Sequence, residues 1–339
     1  MPAHLKPSEI VRRLSEHVIG QEAAKRTLAV AIYAHFRRMA ANAAVDSVEL
    51  TKSNILLIGP TGTGKTLLCE TLARILDVPF VTADATSLAQ TQFVGDEIEA
   101  ILHRLLDRAD GDLARAQRGI VFVDEVDKLK AAGGQARGTS GESVQHALLK
   151  IMEGAPVRLK DGRHIDTTNI LFICGGAFVG LDHILTQTHT FGFISTSTGD
   201  DQKILERLNA RVKPTDLLEF GLIPEFAGRL PVVTRLLDLS QDMLIRIMTE
   251  PRNAIYKQFA AMLAADGVEL QIEAEVFRQI AELAIEYKAG ARSLRGIFEE
   301  MMTDVIYAIP DNPGIRKVII RSLFEKAELG IAAVDPRKT

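Results

Sequence analysis

The chain has 339 residues, 47% hydrophobic and 25% charged, with a formal net charge of -4. That length holds one large domain or two ordinary ones, and the acid balance argues against a broad nucleic-acid surface. Its two cysteines, Cys69 and Cys174, lie outside any C-x-x-C pair, which excludes a cysteine zinc site and a disulfide framework. No apolar leader opens the sequence and no apolar run is long enough to cross a bilayer, so the expected compartment is the cytoplasm.

Residues 8–39 read as helical in two pieces. The first, over 8–16, turns Ile10, Val11 and Leu14 inward; the second starts at residue 21 and carries Leu28, Ile32 and Phe36. Between them, His17-Val18-Ile19-Gly20-Gln21 admits two readings: a buried interhelical turn, or an apolar shelf for a flat base. Residues 40–52 have little periodicity and form a loop.

Residues 54–58 are a short apolar run expected to be a buried strand. Gly59-Pro60-Thr61-Gly62-Thr63-Gly64-Lys65-Thr66 follows, then a helix with Leu68, Leu72, Ile75 and Leu76 on one face. The octapeptide fits G-x-x-x-x-G-K-[ST], and strand, glycine turn and helix are the context that motif requires. Free backbone N–H groups and a helix dipole then converge on one volume suited to polyphosphate, with Leu67 just inside the helix. Lys65 would reach the β and γ phosphates and the Thr66 hydroxyl would hold Mg²⁺.

Residues 78–82 read as a second strand closed by Asp84-Ala85-Thr86, and residues 96–109 as a helix carrying Ile98, Ile101, Leu105 and Leu106. In the polar loop between them, Phe93 beside Val94 and Gly95 is either tucked into a local core or exposed for contact. Ile120-Val121-Phe122-Val123-Asp124-Glu125 is an apolar strand ending in two carboxylates. In a parallel sheet ligands lie beyond the carboxyl ends of strands, so Asp124 would arrive beside the Thr66-bound Mg²⁺. Glu125 would orient or deprotonate an attacking water.

Residues 130–141 are Gly-rich with Arg137, and form an exposed loop. A helix with Val144, Ala147, Leu148 and Ile151 follows, then a hairpin turning at Lys160-Asp161-Gly162, with Arg158, Lys160, Arg163 and His164 at its tip. Residues 170–174 form another buried strand, ended by Gly175-Gly176. The polar stretch 182–201 encloses one apolar island, Phe191-Gly192-Phe193-Ile194. A last strand lies at 232–233 and a hinge at 236–239. The rest is mainly helical, at 243–248, 254–265, 274–287 and from Ala291 to about residue 307, with one short strand at 318–320. The expected architecture is α/β: a doubly wound parallel sheet over 1–236, a small helical lid over 237–328 and a tail over 329–339.

The motifs at 59–66, 120–125, 170–178 (ILFICGGAF), 221–231 and 290–292 together resemble the ClpX family of AAA+ protein unfoldases, over about residues 7–323. The resemblance implies a P-loop AAA+ fold and a homo-oligomeric ring, typically a hexamer, that hydrolyses ATP with Mg²⁺ and threads protein substrates through its pore. By that similarity Arg229 looks like an arginine finger reaching the neighbour's ATP, Arg292 like a sensor arginine, and Val18 and Ile19 like the adenine shelf. Phe93-Val94-Gly95 matches the first pore loop, with Phe where the family usually has Tyr. Residues 130–141, with Arg137, match a second and shorter pore loop, and Arg163-His164 a trimmed pore-entrance loop. Phe191-Gly192-Phe193 imperfectly matches the tripeptide that docks a ClpP-type peptidase, which leaves a peptidase-coupled unfoldase and a peptidase-free remodelling chaperone both open. The cysteine count leaves no counterpart of the family's N-terminal zinc domain. A DNA-acting AAA+ motor is disfavoured by the acid balance and by an aromatic rather than basic pore loop.

Overall fold

The computed structural model describes residues 5–42, 50–91, 93–130, 141–188 and 212–331. It divides into two compact units, one of residues 1–14, 22–60 and 65–236, the other of residues 15–21, 61–64 and 237–339.

The first unit is built on strands β1 (Ile55–Ile58), β2 (Phe80–Asp84), β3 (Ile120–Asp124), β4 (Pro156–Arg158), β5 (His164–Asp166), β6 (Leu171–Gly176) and β7 (Val232–Arg235). Five of these form one sheet in the order β2-β3-β6-β1-β7, every pairing parallel. Parallel sheets are covered on both faces, which is why β1 and β6 are apolar and buried at every position rather than alternating. The chain leaves β1 toward β2 at one edge and later leaves β6 for β7 at the other, so the order reverses beside β1. Ligands of doubly wound sheets bind at such a point.

Pairing sets the level of each strand end. Ile58 lies opposite Gly176, and Val123 opposite Cys174, so β1, β3 and β6 finish together. The ladder continues one step further, Gly59 N–H donating to the Gly176 carbonyl at 3.1 Å and Leu236 N–H to the Ile58 carbonyl at 2.7 Å. Gly59 has to be glycine here, because a Cβ would come within 2.9 Å of Leu236. Both cysteines are buried and free, Cys69 on the helix Lys65–Leu76 and Cys174 on β6. Burial pushes the Cys174 thiol up to about 12, and burial together with the nearby Asp124 charge raises that of Cys69 as well.

The second unit packs helices Gln241–Thr249, Ile255–Ala265, Ala274–Glu286 and Arg292–Ala308 around Phe259, Phe277 and Phe298. The Phe259 and Phe298 rings stack 5.8 Å apart. Where the sequence suggests one strand, the described residues of this unit hold three: β8 (Glu269–Ile272), parallel to β9 (Ile315–Ile320), which is antiparallel to β10 (Glu328–Ile331). β10 therefore runs past residue 328, where a tail was expected to begin.

Elsewhere the boundaries shift modestly. The second strand begins at Phe80 instead of residue 78, and Asp84, read as its closing residue, caps a further helix, Ala85–Gln90, by accepting from Thr86 N–H at 2.7 Å. Residues 156–166 form the expected hairpin, β4 antiparallel to β5.

Candidate nucleotide site

Two strand spacings separate the P-loop from the acidic end of β3, because β6 runs between β1 and β3. At about 4.8 Å per strand this puts the two motifs roughly 10 Å apart at backbone level. Side chains must span the gap, and β6 ends in Gly175 and Gly176, which put nothing in it. A Cβ at Gly175 would strike the Phe122 ring at 2.7 Å and approach Asp124 Oδ1 at 3.3 Å. Across this clearing the Thr66 hydroxyl faces Asp124 Oδ2 at 3.5 Å.

Lys65 is buried at the start of the helix Lys65–Leu76, its Nζ donating to the carbonyls of Gly59 at 2.6 Å and Pro60 at 3.0 Å. The chain at Gly59 and Pro60 is thus folded onto an ammonium group, with the N-terminus of a twelve-residue helix beside it. This arrangement fits a polyphosphate. It also fits Mg²⁺, which binds through one carboxylate or a hydroxyl and takes its remaining ligands from phosphate oxygens and water. Accordingly, no cluster of three His, Cys, Asp or Glu is present among the described residues, nor is one needed.

Glu125 departs from ordinary geometry. Its φ of 60° and ψ of 29° are left-handed, a conformation costing a non-glycine residue about 1–2 kcal/mol. Its N–H donates to Asp124 Oδ1 at 2.9 Å, so the turn is closed by the preceding carboxylate while the Glu125 side chain is left exposed. Sequence reasoning missed Asp127, the acid two residues on. It is 3% exposed and accepts from Ala177 N–H at 3.2 Å and Phe178 N–H at 3.3 Å, tying the end of β6 to the turn after β3. A third carboxylate soon after the strand-end pair was its only signal.

Arg229 caps the helix Pro224–Gly228 and forms an ion pair with Glu153 at 2.7 Å. The buried Asn54, just ahead of β1, donates to the carbonyls of Met152 at 3.3 Å and Arg229 at 3.2 Å. Neither Glu153 nor Asn54 stood out in the sequence.

The first unit therefore brings together Gly59, Pro60, Lys65, Thr66, Leu67, Asp124 and Glu125, and it contains Arg229. The second unit holds Val18, Ile19, Thr61, Gly62, Thr63, Gly64 and Arg292. Val18 and Ile19 are buried in the turn between two helices. Beside them Gln21 exchanges two hydrogen bonds with the Leu237 backbone, at 2.8 and 2.9 Å. Within the same unit Ala291 N–H donates to the Gly62 carbonyl at 3.2 Å, and Arg292 is exposed at the first position of its helix.

Phe93 is 70% exposed at the start of the helix Val94–Arg108, which decides between the two packing readings: it is not tucked into a local core. Val94 and Gly95 are the first residues of that helix. Arg163 is engaged within its own turn, its Nε donating to Asp161 Oδ2 at 2.8 Å, and His164 begins β5. Arg137 and the Phe191-Gly192-Phe193 island lie outside the described residues. No helix among the described residues is long and apolar enough to cross a membrane.

A glycine turn folded on a lysine, a threonine hydroxyl facing a strand-end aspartate and a glutamate after it, on a sheet of order β2-β3-β6-β1-β7, define a P-loop ATPase of the AAA+ class. Residues 50–233 match the AAA domain family (Cdc48 subfamily), and residues 239–310 match the C-terminal D2-small domain of ClpB protein. The chain is 46% identical over 347 residues to the ATP-dependent Clp protease ATP-binding subunit ClpX of Treponema denticola, covering 98% of this chain and 83% of that protein. It is 48% identical over 333 residues to the subunit of the same name from Azotobacter vinelandii, covering 91% and 76%. The chain belongs to the ClpX family and is an ATP-driven protein unfoldase of that type.

Proposed function

We propose that this unfoldase works as a homo-oligomeric ring, a hexamer by resemblance, in the cytoplasm, and that ATP bound on the P-loop is hydrolysed with Mg²⁺ held by Thr66 and Asp124. The Thr66–Asp124 approach at 3.5 Å across the β6 glycines is the observation that carries this reading. When bound, Mg²⁺ neutralises charge building on the β and γ phosphates. Lys65 binds the same phosphates and Glu125 orients the attacking water and accepts its proton. Arg229 serves a neighbouring subunit's site, since a head-to-tail interface that closes on itself is what lets one protomer's arginine complete the next protomer's centre. The roles of Val18 and Ile19 as adenine shelf and of Arg292 as sensor rest on their motif positions. Phe93 grips substrate, and its exposure supports that.

The relatives are named as the ATP-binding subunit of a protease, which supports a ClpP-type peptidase as the partner of this chain. The experiment is unfolding of a tagged fluorescent protein with ATP, with and without such a peptidase, beside a Glu125→Gln control. Loss of fluorescence with ATP in the wild type alone supports the motor, and peptidase-dependent fragments support the partner. Hydrolysis without unfolding across several tags would overturn the threading mechanism.

A further inference from the structure

The helix Gly141–Glu153 turns Val144, Leu148, Leu149, Ile151 and Met152 into the core, and among them it fully buries a polar side chain, Gln145. An amide in such a place costs free energy unless both of its ends are satisfied. Here they are: Gln145 Nε2 donates to the Leu129 carbonyl at 2.7 Å, and Oε1 accepts from Ile223 N–H at 2.9 Å.

Each of those partners belongs to a segment that carries a residue of the ATP chemistry. Leu129 ends the one-turn helix Val126–Leu129, which starts from the left-handed Glu125, and Lys128 N–H donates to the Glu125 carbonyl at 2.9 Å. Ile223 precedes the helix Pro224–Gly228, which ends on Arg229. That short piece is closed on itself, Ala227 N–H donating to the Ile223 carbonyl at 3.0 Å and Arg229 N–H to the Phe226 carbonyl at 3.1 Å. The helix Gly141–Glu153 grips it at both ends. Gln145 holds Ile223, and Asn54 holds the Arg229 carbonyl together with that of Met152. Gln145 and Met152 lie seven residues apart, about 10 Å along the helix axis.

We propose that Gln145 is a positioning residue that places Arg229 for the neighbouring subunit's ATP, by fixing the segment 223–229 to the Glu125 turn of its own subunit. This rests on Arg229 acting as a finger in the next site. The Glu125 turn has a second anchor in Asp127, which accepts from the N–H groups of Ala177 and Phe178. Loss of Gln145 therefore leaves Glu125 in place and shifts the arginine. The lesion lies in one subunit and hydrolysis fails in the next. It strikes the transition state and not ATP binding, so kcat falls while KM stays near its wild-type value.

The test removes both hydrogen bonds with Gln145→Met, a side chain of similar length, and reads ATP turnover in uniform and in mixed rings. Uniform Gln145→Met rings, eluting as wild type on sizing chromatography, should lose about 10²-fold in kcat, the cost of misplacing a catalytic group by about 1 Å. The same subunits are then co-assembled with an excess of Glu125→Gln subunits, which cannot hydrolyse but keep Gln145 and Arg229. Turnover per Gln145→Met subunit should climb to that of wild-type subunits diluted in the same way, because the neighbour now supplies a well-placed arginine. Arg229→Ala subunits, diluted likewise, report on the finger itself.

Recovery of Arg229→Ala without recovery of Gln145→Met overturns the proposal and makes Gln145 a support of its own site or of the fold. Recovery of neither shows that Arg229 is not a finger, and the role of Gln145 falls with it. An undiminished kcat in uniform Gln145→Met rings overturns it too. So does a further loss when Gln145→Met is added to Arg229→Ala, since a residue acting through Arg229 then has nothing left to move. Where Gln145→Met does not assemble, Gln145→Asn, too short to reach both backbone groups, replaces it in every arm.

Discussion

Arg229 reaches Glu153 at 2.7 Å while its own carbonyl is held by the buried Asn54, so the base of the side chain is fixed and its tip rests on an exposed ion pair. Such pairs contribute about 0–1 kcal/mol to stability. Arg229→Ala should therefore leave folding and assembly nearly unchanged while ATP turnover falls steeply; arginine fingers of GTPases are worth roughly 10³–10⁵. Glu153→Gln separates the two roles, because it removes the pair and keeps the arginine. Turnover in that variant should stay within about tenfold of wild type, as an interaction of this size allows. Equal losses in both variants, with sizing chromatography unchanged, would show that the ion pair and not the finger matters.

The left-handed Glu125 sets up an opposition between stability and activity. Glu125→Gly relieves about 1–2 kcal/mol of strain, offset by about 0.5–1 kcal/mol of extra unfolded-chain entropy. The variant should melt at or slightly above the wild-type temperature, with hydrolysis reduced about 10²–10⁴-fold, the usual worth of a general base. A clear fall in melting temperature would mean that the glutamate side chain stabilises the turn.

Gly62 and Gly64 both have positive φ, at 82° and 94°, but their surroundings differ. A Cβ on Gly62 would lie 2.3 Å from the Ala289 carbonyl oxygen, and one on Gly64 would meet nothing within 4 Å. Gly64→Ala should cost about the conformational strain alone, 1–2 kcal/mol. Gly62→Ala should cost clearly more, since backbone must move as well. Paired thermal melts of the two variants check the order.

His35 gives folding a defined acid sensitivity. Burial holds its folded value near 3, below its ordinary value of 6.5, so between those limits the unfolded chain binds the extra proton. Stability then rises with pH through that window and is lost as pH falls through it, by at most about 1.4 kcal/mol per pH unit from this one site. Denaturant titrations at several pH values should show a shallower acid slope in His35→Gln. An unchanged slope would mean that carboxylates alone govern acid unfolding.

Phe93 is exposed and packs little, so Phe93→Ala should leave melting temperature and basal ATPase close to wild type. Unfolding of a tagged substrate should fall sharply, and Phe93→Tyr should retain it. Loss of ATPase together with unfolding would place Phe93 in assembly instead of grip.

Which parts of this molecule could be read in its sequence follows from how local their causes are. β1, β3 and β6 are covered on both faces, so each is an unbroken apolar run, and the P-loop declares itself through backbone demands that glycine alone meets. β8 alternates between exposed and buried positions over four residues, too short for a period to show. The helices Pro214–Phe220 and Pro224–Gly228 span two turns or fewer, too short for a helical period to show, and each opens on a proline, which suits a first helical turn. Ala85–Gln90 follows a strand without a break, so its capping aspartate looked like a strand end. Asn54 and Glu153 matter through partners distant in sequence, Asn54 through residues 98 and 175 positions away. No window of sequence contains such a contact. The left-handed Glu125 was hidden for another reason: glutamate is not a residue that announces that conformation.

The two cysteines have a practical consequence. Both are buried in the first unit with thiols raised far from their reactive form, so maleimide chemistry should pass them by in the folded protein. A single cysteine placed on the surface, at the tip of the 160–162 turn or next to Phe93, becomes a unique attachment point for a dye or spin label without first stripping native thiols. The chain is in effect already prepared for single-molecule recording, and the stepping of the motor can be followed in an otherwise unaltered protein.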